Sequence, residues 1–146
     1  MAKAMTGAEL KALCESRGLR LTTQRRATFE ALRSAGKPIT AYDLLPKLEK
    51  RLNKRLAPLT VYRALDFLVD EGFVHKLASS HSYSLCSHPH DEHESLHLVC
   101  TECGSGEELS LGDIDKALTA AAAERNFQPK RRVVELEGLC ERCSGN

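Results

Sequence analysis

Four cysteines arranged in two pairs constrain the fold of this chain more than any other feature. Cys100-Thr-Glu-Cys103 and Cys140-Glu-Arg-Cys143 each hold two residues between two cysteines, and 36 residues separate the two pairs. Two intervening residues let one turn present both sulfurs to one ion, and zinc accepts four thiolates in a tetrahedron. We predict a structural zinc site that ties the first C-terminal strand to the end of the chain. A redox pair or unligated cysteines are the alternatives.

Composition indicates a globular chain of one domain or two small ones. Its 146 residues are 42% hydrophobic and 28% charged, which is a globular and not a disordered balance. Its apolar runs fall short of the roughly 18 residues that a membrane span needs. The start of the chain, Met1 to Gly7, has no apolar stretch typical of a signal peptide. We therefore expect a cytoplasmic protein without membrane association, in which paired cysteines favour metal over disulfides.

Charge is distributed unevenly along the chain. Residues 1–76 carry 15 basic against 8 acidic side chains, a net charge of +7, whereas residues 77–146 carry 6 against 12, a net charge of −6. A basic half suits a polyanionic partner such as nucleic acid. A solvated surface without a ligand is the alternative that charge alone leaves open.

The first half of the chain predicts four helices. Thr6-Gly-Ala-Glu9 forms a capping box for the first helix. Thr22 or Thr23 caps a second helix, which Gly36-Lys-Pro38 ends. A third helix starts at Thr40, where Pro46 predicts a kink or a later start. The fourth spans Leu59 to Glu71, with apolar residues at helical spacing. Cys14 falls on the apolar face of the first helix, which indicates a core residue.

Residues 73–86 change to a strand pattern. Phe73 to Leu77 and Ser82 to Cys86 read as two short strands of a hairpin. Helices followed by a hairpin are typical of a winged helix-turn-helix, in which one helix enters the DNA major groove. We therefore predict an α+β protein whose residues 1–86 form a winged helix-turn-helix DNA-binding domain.

The remaining sequence predicts a hinge and a small α/β domain. Residues 87–95 are polar and rich in histidine. In residues 96–146, strands are predicted at Leu96–Cys100 and at residues 131–136, with a helix from Gly112 to Arg125 between them. Such a small unit has little apolar material for a core and requires a metal or a partner subunit.

A second group of metal-binding side chains surrounds the hinge. It comprises His75, Cys86, the hinge histidines, and Glu107 or Glu108. A mixed nitrogen, sulfur and oxygen set suits zinc, and one thiolate shifts the preference toward zinc or other late metals. Solvated histidines beside a buried cysteine are the alternative interpretation.

The fourth helix carries candidate base-reading residues. Arg63 lies on its exposed side, and arginine is the best bidentate partner for guanine, while Tyr62 suits packing on a thymine methyl. Five basic residues are candidates for phosphate contacts: Lys11, Arg25, Arg26, Lys54 and Arg55. Phosphate-binding loops, HExxH and nucleophile-elbow motifs are missing, so we do not expect an enzyme.

Five segments together resemble the ferric uptake regulator superfamily of bacterial metal-dependent repressors. These segments, in the order of that family, are Arg20-Leu-Thr-Thr-Gln-Arg25, Thr60-Val-Tyr-Arg-Ala-Leu65, Gly72-Phe-Val-His75, Leu96-His-Leu-Val-Cys-Thr-Glu-Cys-Gly104 and Gly138-Leu-Cys-Glu-Arg-Cys143. Within it the chain is most similar to the zinc uptake regulator branch, through Ala41-Tyr-Asp-Leu-Leu45 and Ser82-Tyr-Ser-Leu-Cys86. Glu92-His-Glu-Ser-Leu-His97 stands where the iron branch carries a dense His-x-His cluster.

The resemblance implies a homodimeric zinc-responsive repressor that binds an AT-rich palindromic operator and controls zinc uptake or homeostasis genes. An iron- or peroxide-responsive regulator of the same superfamily is the alternative. The resemblance implies two zinc ions per protomer, with residues 96–146 as the dimerisation domain. The implied structural ligands are Cys100, Cys103, Cys140 and Cys143, and the implied regulatory ligands are His75, Cys86, His93 and Glu108. His97, His88 or His90 is an alternative to His93 or an addition to it, and Tyr42, Tyr62 and Arg63 match positions near DNA.

Overall fold

The computed structural model describes residues 4–87, 89, 95–130 and 132–145. The chain divides into two compact units, an N-terminal unit of Met1–His90 and a C-terminal unit of Asp91–Asn146. All of the net positive charge predicted from the sequence belongs to the N-terminal unit, because residues 77–90 contain no charged side chain other than histidine. The N-terminal unit therefore carries +7 and the C-terminal unit −6.

Four helices make up most of the N-terminal unit, as predicted. They are α1 (Gly7–Ser16), α2 (Thr23–Ala35), α3 (Ala41–Leu52) and α4 (Pro58–Asp70). Threonine hydroxyls accept hydrogen bonds from the first turns of three of them: Thr6 caps α1, Thr22 caps α2 and Thr40 caps α3. These caps satisfy backbone N–H groups that have no partner within the helix.

The end of α2 agrees with the sequence prediction, and the start of α3 decides between two alternatives that the sequence left open. Gly36 ends α2 with a φ of 66°, a left-handed conformation that glycine adopts without steric cost. Helix α3 begins at Ala41 and contains Pro46, so the later start that the proline suggested is wrong. Pro46 is exposed, and its ring therefore does not disturb the buried face of α3.

A three-stranded antiparallel sheet completes the N-terminal unit. Its strands are β1 (Ile39–Thr40), β2 (Val74–Leu77) and β3 (Ser82–Leu85), in the order β1-β3-β2. Strands β2 and β3 form the predicted hairpin, with Val74 opposite Leu85 and Leu77 opposite Ser82. The short β1 strand was not predicted, since two residues are too few to show an alternating pattern. This helix and sheet order confirms the predicted winged-helix architecture.

One hydrophobic core holds the helices and the wing together. Its fully buried side chains come from every helix of the unit and from the start of the hairpin: Leu10, Cys14, Phe29, Leu44, Leu48, Leu65, Leu68, Phe73 and Val74. Cys14 is 1% exposed, and burial raises the pKa of its thiol. It is thus a core residue, as its place on the apolar face of α1 predicted.

The C-terminal unit is a three-stranded sheet with one helix. Its elements are β4 (Ser95–Cys100), β5 (Gly106–Ser110), α5 (Asp113–Ala123) and β6 (Val134–Gly138). The central strand β4 pairs antiparallel with β5 and parallel with β6. Strand β5 was missed because Gly-Glu-Glu-Leu-Ser shows no apolar alternation. The last strand, β6, begins three residues later and ends two residues later than the predicted segment 131–136.

The C-terminal unit buries few side chains. None of the residues of α5 is buried. Within residues 95–130 and 132–145, the buried apolar residues are Leu96, Val99, Cys100 and Leu111, and the buried polar residues are Ser95 and His97. This small core agrees with the expectation that the unit needs additional stabilisation. Of the helices in the described ranges, none has the length and apolar character required to cross a membrane.

Candidate metal centres and nucleic-acid interface

The topology of the C-terminal sheet explains why the four paired cysteines meet. Strands β4 and β6 are parallel, and Cys100 at the end of β4 lies opposite Gly138 at the end of β6. Each strand runs into a Cys-x-x-Cys turn at the same edge of the sheet. A backbone hydrogen bond of 2.9 Å from Thr101 N to Gly138 O joins the first turn to the end of β6.

The four sulfurs are arranged as one zinc ion requires. The Sγ atoms of Cys100, Cys103, Cys140 and Cys143 all lie within 4.8 Å of one another. The Cys103 and Cys140 sulfurs are 3.8 Å apart. Zinc–sulfur bonds of about 2.3 Å at tetrahedral angles give an edge of roughly 3.8 Å between two sulfurs. The geometry therefore fits a tetrahedral zinc held by four thiolates, with no position left for a substrate.

Hydrogen bonds give the thiols of this cluster different pKa values. The side chain and backbone of Ser105 bond to Cys103 and lower the pKa of its thiol to about 5. Backbone N–H groups of Cys103 and Cys140 lower the pKa of Cys100. Hydrogen bonding to Cys140 raises the pKa of Cys143 to about 12. The hydrogen bonds of the two turns thus stabilise negative charge on the sulfurs of Cys100 and Cys103, as a cation site requires.

A second set of ligand atoms lies on the hairpin of the N-terminal unit. His75 is on β2 opposite Ser84 of β3, and Cys86 lies two residues beyond Ser84. This diagonal relation puts both side chains on the same face of the hairpin. A ring nitrogen of His75 and the Cys86 sulfur lie within 4.8 Å of each other. Cys86 is only 2% exposed, and its N–H donates to the Phe73 carbonyl at 2.9 Å.

The other predicted regulatory ligands lie on or before the C-terminal unit. Glu108 is on β5, directly opposite His97 on β4. His97 is buried and its Nε2 lies 3.1 Å from the Ser95 hydroxyl. The predictions for His93, and for His88 and His90 as its alternatives, fall outside the described residues.

Arg17 fastens the chain just beyond Cys86 to the rest of the N-terminal unit. Its guanidinium donates to the backbone oxygens of Glu71 and Pro89 at 2.8 Å each, and lies 5.1 Å from the centroid of the Phe73 ring. The same Phe73 residue accepts the Cys86 N–H. Arg17 therefore connects the end of α1, the turn after α4 and the start of the predicted hinge. Nothing in the sequence pattern indicated this role.

Replacing Arg17 with alanine is expected to lower the free energy of unfolding by about 1–2 kcal/mol, because two hydrogen bonds from a charged donor and one cation–π contact are lost at a partly exposed site. Equilibrium urea unfolding followed by far-UV circular dichroism measures the change. Arg20→Ala, which removes the same charge from an exposed neighbouring position, is the control and should have little effect. Equal unfolding curves for the Arg17 and Arg20 variants would show that the contacts of Arg17 are not stabilising.

The exposed face of α4 presents the predicted DNA-binding side chains. The buried residues Val61, Ala64, Leu65 and Leu68 attach one face of α4 to the core. Tyr62 and Arg63 lie on the opposite face, where Tyr62 is 46% exposed. Tyr42, near the start of α3, is 85% exposed. All three side chains are thus accessible to a partner, on helices that the core holds rigidly.

Four of the five candidate phosphate-binding residues are exposed, and one is engaged within the unit. Lys11, Arg26, Lys54 and Arg55 are exposed. Arg25 instead stacks on Phe67, 3.7 Å from the ring centroid, and donates to the Arg20 carbonyl at 2.6 Å. Arg25 is therefore better described as a packing residue of the N-terminal unit than as a phosphate contact.

The chain is similar to zinc uptake regulators over most of its length. The zinc uptake regulation protein of Escherichia coli (strain K12) is 38% identical over 138 residues, which cover 93% of this chain and 80% of the relative. A zinc uptake regulator solved in complex with zinc and DNA superposes with a TM-score of 0.90 at 36% identity, covering 95% of this chain and 93% of that one. The crystal structure of holo XcZur gives a TM-score of 0.84 at 39% identity, covering 97% and 100%.

A sequence model of the Ferric uptake regulator family matches residues 16–137. The match includes α2 to α5, β1 to β5 and all but the last residue of β6. It therefore includes Arg63, His75, Cys86 and the first cysteine pair. The resemblance inferred from five short segments is thereby confirmed, and so are the α+β class and the winged-helix N-terminal unit. The chain belongs to the Ferric uptake regulator family.

Proposed function

We propose that this chain is a zinc-responsive transcriptional regulator that represses genes of zinc uptake or homeostasis when a regulatory zinc site is filled. The observation that carries this proposal is the His75–Cys86 pair, a zinc-type ligand pair on the same unit that presents the exposed face of α4. The similar proteins include zinc uptake regulation proteins and one zinc and DNA complex. A regulator, and not an enzyme, is what membership of this family supports.

The regulatory site is proposed to comprise His75, Cys86, His93 and Glu108. The first two come from the N-terminal unit, Glu108 comes from β5 of the C-terminal unit, and His93 comes from the hinge predicted at residues 87–95. Imidazole, thiolate and carboxylate are all zinc ligands. With zinc bound, such a ligand set cross-links the two units. The support for this set is its ligand chemistry, the proximity of His75 to Cys86, and the positional match to the family.

Cys86 favours zinc over the iron- and peroxide-responsive alternative. A thiolate ligand suits zinc, whereas non-haem Fe(II) is typically held by two histidines and a carboxylate. Cys86 is almost fully buried beside His75. A peroxide-sensing role fits less well, because a buried sulfur has poor access to oxidant.

The four-cysteine cluster is proposed as the second zinc site, which makes two zinc ions per protomer. Its ligand set leaves no open position, and its low-pKa thiol at Cys103 is matched to a cation. We expect this zinc to be structural and not exchangeable. The regulatory zinc should instead exchange with buffered zinc in solution.

The C-terminal unit is proposed to form a homodimer. Among its described residues, seven large apolar side chains are exposed: Leu109, Ile114, Leu118, Phe127, Val133, Leu136 and Leu139. Helix α5 buries none of its residues. A monomer of this size seldom leaves so much apolar surface uncovered, and an interface with a second copy would cover it. A two-fold dimer presents two α4 helices, which suits a palindromic operator with half-sites about 34 Å apart.

Zinc dependence of DNA binding then follows from the cross-link between units. When its ligands hold the zinc, the N-terminal units of a dimer are restrained at the spacing of successive major grooves. Without the cross-link the competent arrangement is a minor population, and the DNA affinity falls in proportion to that population. A coupling of about 1–3 kcal/mol is typical of allosteric proteins. The DNA itself is proposed to be an AT-rich palindromic operator.

Replacing Arg63 with alanine is expected to cost about 1–3 kcal/mol of binding free energy and to relax specificity at one base pair. The physical reason is the loss of a bidentate contact to a base edge. Fluorescence anisotropy with single-base-pair variants of the operator measures it. Lys54→Ala is the control, since loss of a phosphate contact weakens all sequences alike and lowers the salt slope by about one. An unchanged operator preference in the Arg63 variant would place the recognition surface elsewhere.

The proposal is tested by selection of duplexes from a random-sequence pool with zinc and with a chelator. We expect a palindromic sequence to be enriched with zinc only. Elemental analysis of the same protein should give about two zinc ions per protomer, and about one after mild dialysis against EDTA, because a closed structural site resists chelation. Failure to enrich any duplex would favour a zinc-storing or adaptor protein. One zinc ion both before and after dialysis would leave only the four-cysteine site.

A further inference from the structure

Exposed apolar side chains in the N-terminal unit are concentrated at the start of α4 and the start of α3. In the described part of this unit, the large hydrophobic residues with exposed side chains are Tyr42, Leu59 and Tyr62. Leu59 is 58% exposed and, unlike the two tyrosines, has no polar group to hydrate. It stands second in α4, after Pro58 at the first position of that helix.

Leu59 shares the face of α4 that carries Tyr62 and Arg63. Residues three and four apart are neighbours on a helix surface, so Leu59 adjoins both of them. Val61, Ala64, Leu65 and Leu68 occupy the opposite, buried face. The leucine is therefore out of phase with the core stripe, which is why its side chain does not pack into the unit.

We infer that Leu59 is a specificity-determining residue, which contacts the 5-methyl group of a thymine in the major groove beside the base pair read by Arg63. This inference rests on the proposed DNA-binding function. The thymine methyl is the apolar feature of base edges in the major groove, and apolar side chains discriminate thymine by contact with it. The N-terminal residues of a recognition helix are those that approach base edges.

Several consequences separate this role from the roles of charged residues. An apolar contact neutralises no phosphate, so removing it leaves the salt dependence of binding unchanged. The affinity for unrelated duplexes stays the same for the same reason. Only duplexes with the methyl group at the contacted position lose affinity.

The test uses the duplex enriched with zinc, in which thymines are replaced one at a time by deoxyuridine to remove the 5-methyl group. Binding of the full-length zinc-loaded chain and of Leu59→Ala is measured by fluorescence anisotropy. We expect Leu59→Ala to bind the thymine duplex about three- to tenfold more weakly, a loss comparable to exposing one or two methyl-sized contacts. Leu59→Met, which retains an apolar side chain of similar volume, should stay within about twofold of the original chain.

The decisive comparison is between Leu59→Ala alone, the deoxyuridine replacement alone, and both changes together. At the contacted thymine, deoxyuridine should weaken the original chain but not weaken Leu59→Ala further, because both changes remove the same contact. An affinity of Leu59→Ala equal to that of the original chain overturns the inference. The inference is also overturned if Leu59→Ala loses affinity, relative to the original chain, by the same factor on every deoxyuridine duplex. That result would indicate an indirect effect on α4. If the original chain itself enriches no duplex, the proposed function is overturned instead. That selection is carried out before any variant is made, so the two failures are distinguishable.

Discussion

Replacing Cys140 with serine is expected to unfold the C-terminal unit and to dissociate the proposed dimer. Four thiolates hold the proposed structural zinc, and binding of structural zinc contributes about 10–16 kcal/mol in zinc-finger peptides. The C-terminal unit buries few apolar residues, and α5 buries none. Its own core therefore cannot replace that contribution. Size-exclusion chromatography with light scattering, together with zinc analysis, measures the result.

The matched control for this variant is Glu141→Ser. Glu141 is exposed and lies in the same Cys-x-x-Cys turn, directly after Cys140. It is not a member of the four-sulfur cluster, so its replacement should leave zinc content, mass and unfolding unchanged. A Cys140→Ser protein that keeps its zinc content and the molar mass of the dimer in solution would contradict a structural role for this cluster.

Replacing Cys86 with serine is expected to abolish the response of DNA binding to zinc while leaving the fold intact. Serine is close to cysteine in size, so the buried site at the end of the hairpin is preserved. A serine hydroxyl is a poor zinc ligand compared with a thiolate. The increase in DNA affinity on adding zinc, about 5–150-fold for a typical coupling, should fall to nearly nothing. Anisotropy measurements in zinc buffers detect the loss.

Cys14→Ser provides the control for Cys86→Ser. Cys14 is likewise a buried thiol of the N-terminal unit, at 1% exposure against 2% for Cys86, but it lies in the helical core. Its replacement should lower stability and leave the zinc response intact. The proposed regulatory role of Cys86 would be contradicted by a zinc response that survives in Cys86→Ser, or by one that is lost equally in both variants.

Helix boundaries were predicted well because their signals are local. Thr6 and Thr40 cap the helices that the sequence predicted them to begin, and Thr22 is the one of the two predicted candidates, Thr22 and Thr23, that caps α2. Capping depends on a side chain and a backbone group two or three residues apart, which the sequence displays directly. The two cysteine pairs were equally informative, since their spacing predicted one four-cysteine cluster, and the four sulfurs lie within 4.8 Å of one another.

Features that depend on distant parts of the chain were harder to predict. Strand β5 has two glutamates and a glycine, and its pairing with β4 decides its structure where local preference does not. The contacts of Arg17 with Glu71 and Pro89 join residues that are far apart in the sequence. Leu59, in contrast, carried a usable signal, because it lies out of phase with the apolar stripe of α4.

Zinc held by the regulatory ligands is proposed to switch the affinity of the chain for DNA. The most direct test is a titration of the selected duplex with the full chain at a series of buffered free zinc concentrations, starting from protein that retains one zinc ion per protomer. We expect a single transition in which the DNA affinity rises at least about fivefold as the second zinc ion binds. Equal affinity with one and with two zinc ions per protomer would contradict it.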